Sequence, residues 1–131
     1  MIGRGNTIWA QGGPVRVEDI DEGHRFSFQT HPPSGVRLRV LGESLVQYGP
    51  RSLVLLKDGR DLVVAPTLMF RTLQGFLQVR DLLPGTLVEG PIPGVISHVE
   101  ACDTGAMHHF PKLENLVFVV DGIEARFGGY A

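Results

Sequence analysis

The feature that most constrains this chain is a stretch it contains twice. Leu77-Gln78-Val79-Arg80-Asp81-Leu82-Leu83-Pro84-Gly85-Thr86-Leu87-Val88 repeats the spacing of Val15-Arg16-Val17-Glu18-Asp19-Ile20-Asp21-Glu22-Gly23-His24-Arg25-Phe26. Val17 answers to Val79, Asp19 to Asp81, Ile20 to Leu82, Gly23 to Gly85 and Phe26 to Val88, all at one offset (79 − 17 = 62) and without a gap. Upstream, Val15 meets Leu77, Gly13 meets Gly75 and Ile8 meets Phe70 at the same offset. A common pattern of apolar residues and glycines over about nineteen positions exceeds what a shared strand rhythm produces. It implies one domain, 1–131, made of two related halves, with the repeated elbows spanning about 5–30 and 67–92.

Around these elbows the chain reads as short strands separated by turn residues. Val36-Arg37-Leu38-Arg39-Val40-Leu41 alternates most clearly, with arginines outside and aliphatics inside. Phe26 and Phe28 share one face of another strand, and His31-Pro32-Pro33-Ser34-Gly35 is a loop, because proline cannot donate to a ladder. Asp58-Gly59 between two apolar runs predicts a tight hairpin in which both residues take positive φ. Residues 45–48 form a weaker strand, and residues 102–112 are the least regular segment. Leu116-Val117-Phe118-Val119-Val120 turns through Asp121-Gly122 into a last strand. With no amphipathic pattern of helical length, the fold class is all-β.

A net charge of −2 with both signs interspersed predicts neither a nucleic-acid nor a membrane partner. The single cysteine, Cys102, permits no intramolecular disulfide and no multi-cysteine zinc site. Met1-Ile2-Gly3-Arg4-Gly5 lacks the apolar core of a signal peptide, and no apolar run has transmembrane length. The expected location is therefore the cytoplasm, or a virion assembled from it.

The duplicated elbow, Gly5-Asn6-Thr7 near the start and Asp121-Gly122 near the end resemble the hedgehog/intein (Hint) fold family. Phe70, Thr72, Gly75, Phe76, Asp81, Leu82, Pro84 and Gly85 are similar to the scaffold of that family's middle motif, and residues 119–125 to its closing strand. The resemblance implies a compact β domain with two pseudo-twofold halves. It also implies where the self-processing chemistry would sit. Such chemistry takes a thiol or hydroxyl that attacks the preceding carbonyl, a Thr-x-x-His that polarises that peptide and protonates the leaving amine, and, for splicing, a terminal His-Asn. By the motifs, the nucleophile position falls on Ile2, the threonine on Ala65, the histidine on Leu68 and the His-Asn pair on Arg126 and Phe127. None of these can attack or shuttle a proton. The expectation is an inactive relative with no catalytic residues, no cofactor and no metal.

The other candidates have bland readings. His108 and His109, with His98 and Cys102 nearby, read as a polar loop and not as a metal site, since adjacent histidines point apart. Gly3-Arg4-Gly5 lacks the remaining features of a phosphate loop. Cys102 reads as a small hydrophobe, Arg37 and Arg39 as a solvated face, and Asp19 and Asp81 as backbone caps in equivalent turns. Two function classes follow. One is a non-catalytic structural or interaction module, a component of a larger protein assembly such as a phage virion or a homo-oligomer. Its contact candidates are Trp9, Tyr48, Phe110, Phe127 and Tyr130. The other is an autoprocessing domain with a displaced nucleophile such as Cys102. A convergent β rhythm without true kinship is the third reading.

Overall fold

The computed structural model describes residues 1–10, 13–20, 25–29, 36–40 and 45–128, the backbone alone for 25–29 and 36–40. Twelve antiparallel strands make up one sheet system: β1 (Thr7–Ala10), β2 (Gly13–Arg16), β3 (Arg25–Gln29), β4 (Val36–Val40), β5 (Leu45–Leu56), β6 (Asp61–Val64), β7 (Met69–Thr72), β8 (Gly75–Gln78), β9 (Leu87–Val88), β10 (Gly94–His109), β11 (Phe118–Val120) and β12 (Ile123–Arg126). The order is β4-β3-β1-β11-β12-β7-β9-β10-β5-β6, with β2 added on β1 and β8 on β7. Among the described residues there is no α-helix, only 3-10 turns at Val17–Asp19, Val79–Asp81 and Pro111–Leu113. The all-β expectation holds.

The two halves match residue by residue. In the β1–β2 hairpin Thr7 faces Arg16, Ile8 faces Val15 and Ala10 faces Gly13. In the β7–β8 hairpin Met69 faces Gln78, Phe70 faces Leu77 and Thr72 faces Gly75, the same pairs displaced by the offset seen in the sequence. Gly13 and Gly75 both take positive φ, 129° and 99°, which a side chain would resist. Each hairpin then drops into its 3-10 turn through an equivalent hydrogen bond: Val17 N donates to Asn6 O (2.9 Å), and Val79 N to Leu68 O (2.8 Å). Val17 and Val79 are fully buried, and so are Ile8 and Phe70. Even the outer pairing corresponds, Ala10 with Phe26 and Thr72 with Val88. The β11–β12 hairpin lies between β1 and β7, closed by Asp121 and Gly122 at φ 48° and 86°. Positive φ at both central residues suits the twist of a two-residue turn.

Several expectations need correction. Residues 102–109 are not irregular; they complete β10, which pairs along its length with a twelve-residue β5 reaching back to Leu45. At the Asp58-Gly59 turn only Gly59 has positive φ (96°), with Gly59 N bonded to Leu56 O and Leu56 N to Arg60 O. That is a three-residue connection ending in a left-handed glycine, so Asp58 keeps an ordinary conformation. Asp19 and Asp81 are exposed and make no side-chain hydrogen bond to a described residue; the second turn is closed by Leu82 N on Val79 O. Two contact candidates are interior. Phe110 is fully buried and Phe127 nearly so, since each fills the core rather than covering it. Tyr48 is 80% exposed and Trp9 half-buried, while Gly23, residues 31–35 and Tyr130 lie outside the described residues.

Candidate functional site

The chain start is tied to β6 and to the β11–β12 turn by polar side chains around Asn6. Its Nδ2 donates to Asp121 Oδ2 (2.7 Å) and to the Asp61 carbonyl (3.2 Å), and its Oδ1 accepts from Val63 N (3.1 Å). Asp121 Oδ1 also accepts from the Thr7 amide (3.2 Å) and hydroxyl (2.8 Å). Glu18 takes the Gly5 N–H at 3.0 Å, and that bond, helped by Arg4, holds its carboxyl below the usual range. These contacts pair the side chain of the buried Asn6 with backbone groups of β6. They also explain why Gly5-Asn6-Thr7 and Asp121-Gly122 stand at opposite ends of the sequence: they are one cluster in space.

Thus anchored, residues 1–3 run between β6 and β10. Ile2 exchanges both backbone hydrogen bonds with His108 (2.9 and 2.7 Å), and Gly3 N donates to Val63 O (2.6 Å). Ala65 N donates to the Met1 carbonyl at 2.9 Å. Burial of the Met1 α-amino group lowers its pKa to about 5.

The sequence-derived positions converge here. Ala65 touches the Met1–Ile2 peptide through its N–H, and Leu68 N closes a turn onto Ala65 O (3.0 Å). Arg126 pairs with Met69; continuing that register by one residue sets Phe127 opposite Leu68. Ile2, Ala65 and Leu68 are at most 2% exposed and Phe127 is 7% exposed. These four positions therefore bring only hydrocarbon side chains to the corner, with the Ala65 main-chain N–H donating to the carbonyl.

One polar side chain reaches this corner unforeseen. The His109 ring lies 4.7 Å from the Phe127 ring, tilted by 57°, and its Nε2 meets Glu114 Oε1 at 2.9 Å. Phe127 also packs on Phe118 at 4.8 Å. Strand alternation at positions 108 and 109 was the available signal, because it sends the two histidines to opposite faces. His98 pairs with Glu100 (3.2 Å), and Cys102 donates to the Arg51 carbonyl (3.3 Å) at a β-bulge beside Asp103. Neither joins His109. Among the described residues no group of three or more His, Cys, Asp or Glu could hold a metal ion, and no helix is long and apolar enough to cross a membrane. Cys102 stands six residues along β10 from His108, the partner of Ile2, about 20 Å at strand rise.

The architecture matches solved structures across nearly the whole chain. An intein-like domain from Clostridium thermocellum superposes with a TM-score of 0.80 at 15% identity, covering 97% of each chain. The chain has the Hint fold. A DnaX mini intein from Spirulina platensis gives a TM-score of 0.78 at 14% identity, over 96% of this chain and 99% of that one. A DnaB intein from Synechocystis sp. gives 0.76 at 11%, over 98% and 99%. No protein-family model and no curated protein matches the sequence. The Hint fold is thus carried here by a sequence that shares the frame of these structures and few of their residues.

Proposed function

We propose that this Hint-fold domain is a non-catalytic module that works through protein contacts as a component of a larger assembly, a phage particle being one fitting setting. The observation that carries the reading is the lining of the corner around the Met1–Ile2 peptide. The backbone frame persists, with the Ala65 N–H on the Met1 carbonyl at 2.9 Å, while the side chains at positions 2, 65, 68 and 127 are buried hydrocarbon. Covalent self-processing needs a nucleophile and a proton donor within bonding reach of one peptide. Isoleucine, alanine, leucine and phenylalanine supply neither, and the His109 imidazole that reaches the corner is engaged by Phe127 and Glu114.

Autoprocessing with a displaced nucleophile is the second reading, and the likeness to inteins favours it. Its thiol candidate, Cys102, sits about 20 Å along β10 from the strand position of Ile2. A fusion with folded segments added on both sides, incubated with and without added thiol and weighed by mass spectrometry, separates the two. The intact fusion mass is expected throughout. Specific cleavage beside Ile2 or Phe127 would overturn the non-catalytic reading.

A further inference from the structure

We propose that the outer edge of β5 at residues 45–49 pairs antiparallel with the same edge of a second copy of this chain. β10 covers one side of β5 from Leu45 to Leu56, but β6 covers the other side only from Ser52 to Leu55. Among the described residues the outer edge of 45–51 has no strand partner. A row of unpaired N–H and C=O groups specifies its own occupant, an extended backbone. Exposed edges are ordinarily guarded by lysine, proline or a bulge; this one has Pro50 toward one end, and residues 45–49 contain neither lysine nor proline. Instead the strip exposes three large apolar side chains, Leu45 at 46%, Val46 at 57% and Tyr48 at 80%.

Charge and symmetry select a second copy as the partner. Residues 45–50 carry no charge, so the strip meets itself without repulsion. The nearest cation, Arg51, is held by both Asp103 oxygens at 2.7 Å. A twofold axis normal to the sheet keeps each side chain on its own face, so only residues of equal parity can stand opposite each other. Centred on Gln47, this rule sets Val46 against the partner's Tyr48 and Tyr48 against the partner's Val46. Pro50, which has no N–H to donate, then falls outside the pairing. Aromatic against β-branched is a favourable cross-strand pair. A contact of this length lies at the small end of interface sizes, below about 1,200 Å², so the dimer is weak and concentration-dependent. The inference extends the reading of a contact module, but it rests on the strand edge alone, and a mass measurement here fails separately from the cleavage assay above.

Sedimentation equilibrium of the full chain tests it. The weight-average mass is expected to rise from 14.3 kDa toward twice that value between micromolar and millimolar concentration. Amides within residues 45–49 are expected to gain hydrogen-exchange protection over the same range. Val46→Lys and Tyr48→Lys, both at exposed positions, are expected to keep the wild-type melting temperature and remain monomeric throughout. A wild-type chain that stays monomeric overturns the proposal and leaves the edge to a foreign strand. A dimer that persists in both lysine variants overturns it too, by placing the contact elsewhere.

Discussion

Ile2 and Val64 form an antiparallel bridge and stand 62 positions apart, the offset at which the two elbows repeat (64 − 2 = 62). Both residues are fully buried. Residue 2 is thus held between β6 and β10. Ile2→Ala is expected to cost about 2–5 kcal/mol and Ile2→Val only about 1 kcal/mol, as for truncations in a packed core. Urea unfolding with an unchanged m-value measures both. A cost for Ile2→Ala well below about 1 kcal/mol would mean that residue 2 is not part of the core.

Asp121 ties the two ends of the chain together. It accepts from Asn6 Nδ2 and from the Thr7 amide and hydroxyl while holding φ at 48°. Asp121→Ala removes the acceptor and places a residue poorly suited to positive φ in the turn. A loss of about 2 kcal/mol or more follows from the orphaned donors. Asp121→Asn keeps one acceptor oxygen and tolerates the same φ, so its loss is expected to be smaller. Thermal unfolding of the pair checks the order, and equal stability in all three chains would contradict it.

The Met1 α-amino group makes the stability of the 131-residue chain depend on pH. Folded, it stays neutral down to about pH 5; unfolded, it titrates at its ordinary value of 8.0. Between these values the unfolded chain holds the extra proton, so stability rises with pH. The contribution is complete above pH 8 and is lost as pH falls toward 5. The full shift corresponds to a few kcal/mol, at most about 4. Denaturant unfolding at pH 8, 6.5 and 5.5 should show this decline, and a flat profile would refute the burial of that amine.

The hydrogen bond from Ala65 N to the Met1 carbonyl predicts what introduced side chains would do. In a fusion with a segment ahead of Met1, Ile2→Cys with Leu68→His is expected to release that segment slowly when thiol is added. The introduced sulfur attacks the Met1 carbonyl carbon, and the C–N bond to residue 2 breaks as the introduced imidazole protonates the leaving amine. The added thiol then displaces the residue-2 sulfur from the resulting thioester and carries the segment away. Either substitution alone is expected to leave the fusion intact. Release by the single Leu68→His variant, or none by a folded double variant, would show that positions 2 and 68 do not face one peptide.

Much of the frame was legible because it is written in local patterns. The elbows repeat as apolar residues and glycines, and Ile8 with Phe70, Val17 with Val79 and Ile20 with Leu82 are buried in corresponding places. The β10 segment from Cys102 to His109 was not legible, since its residues neither alternate nor favour strands. It is extended because β5 lies beside it from Leu45 onward. Phe110 looked like a contact residue for a similar reason, because an aromatic at a turn has no periodicity to say which way it faces. His109 gave no sign that it would lie against Phe127.

By itself, the sequence determined an all-β chain, its repeated turn pattern and its turn glycines. Those follow from short-range rules of backbone sterics and side-chain periodicity. Tertiary structure alone decided that Ile2 sits between Val64 and His108, that Asn6 and Thr7 share Asp121, and that β6 covers β5 only from Ser52 to Leu55. Each of these depends on pairing between residues far apart in the chain, and one-dimensional patterning does not specify such pairings.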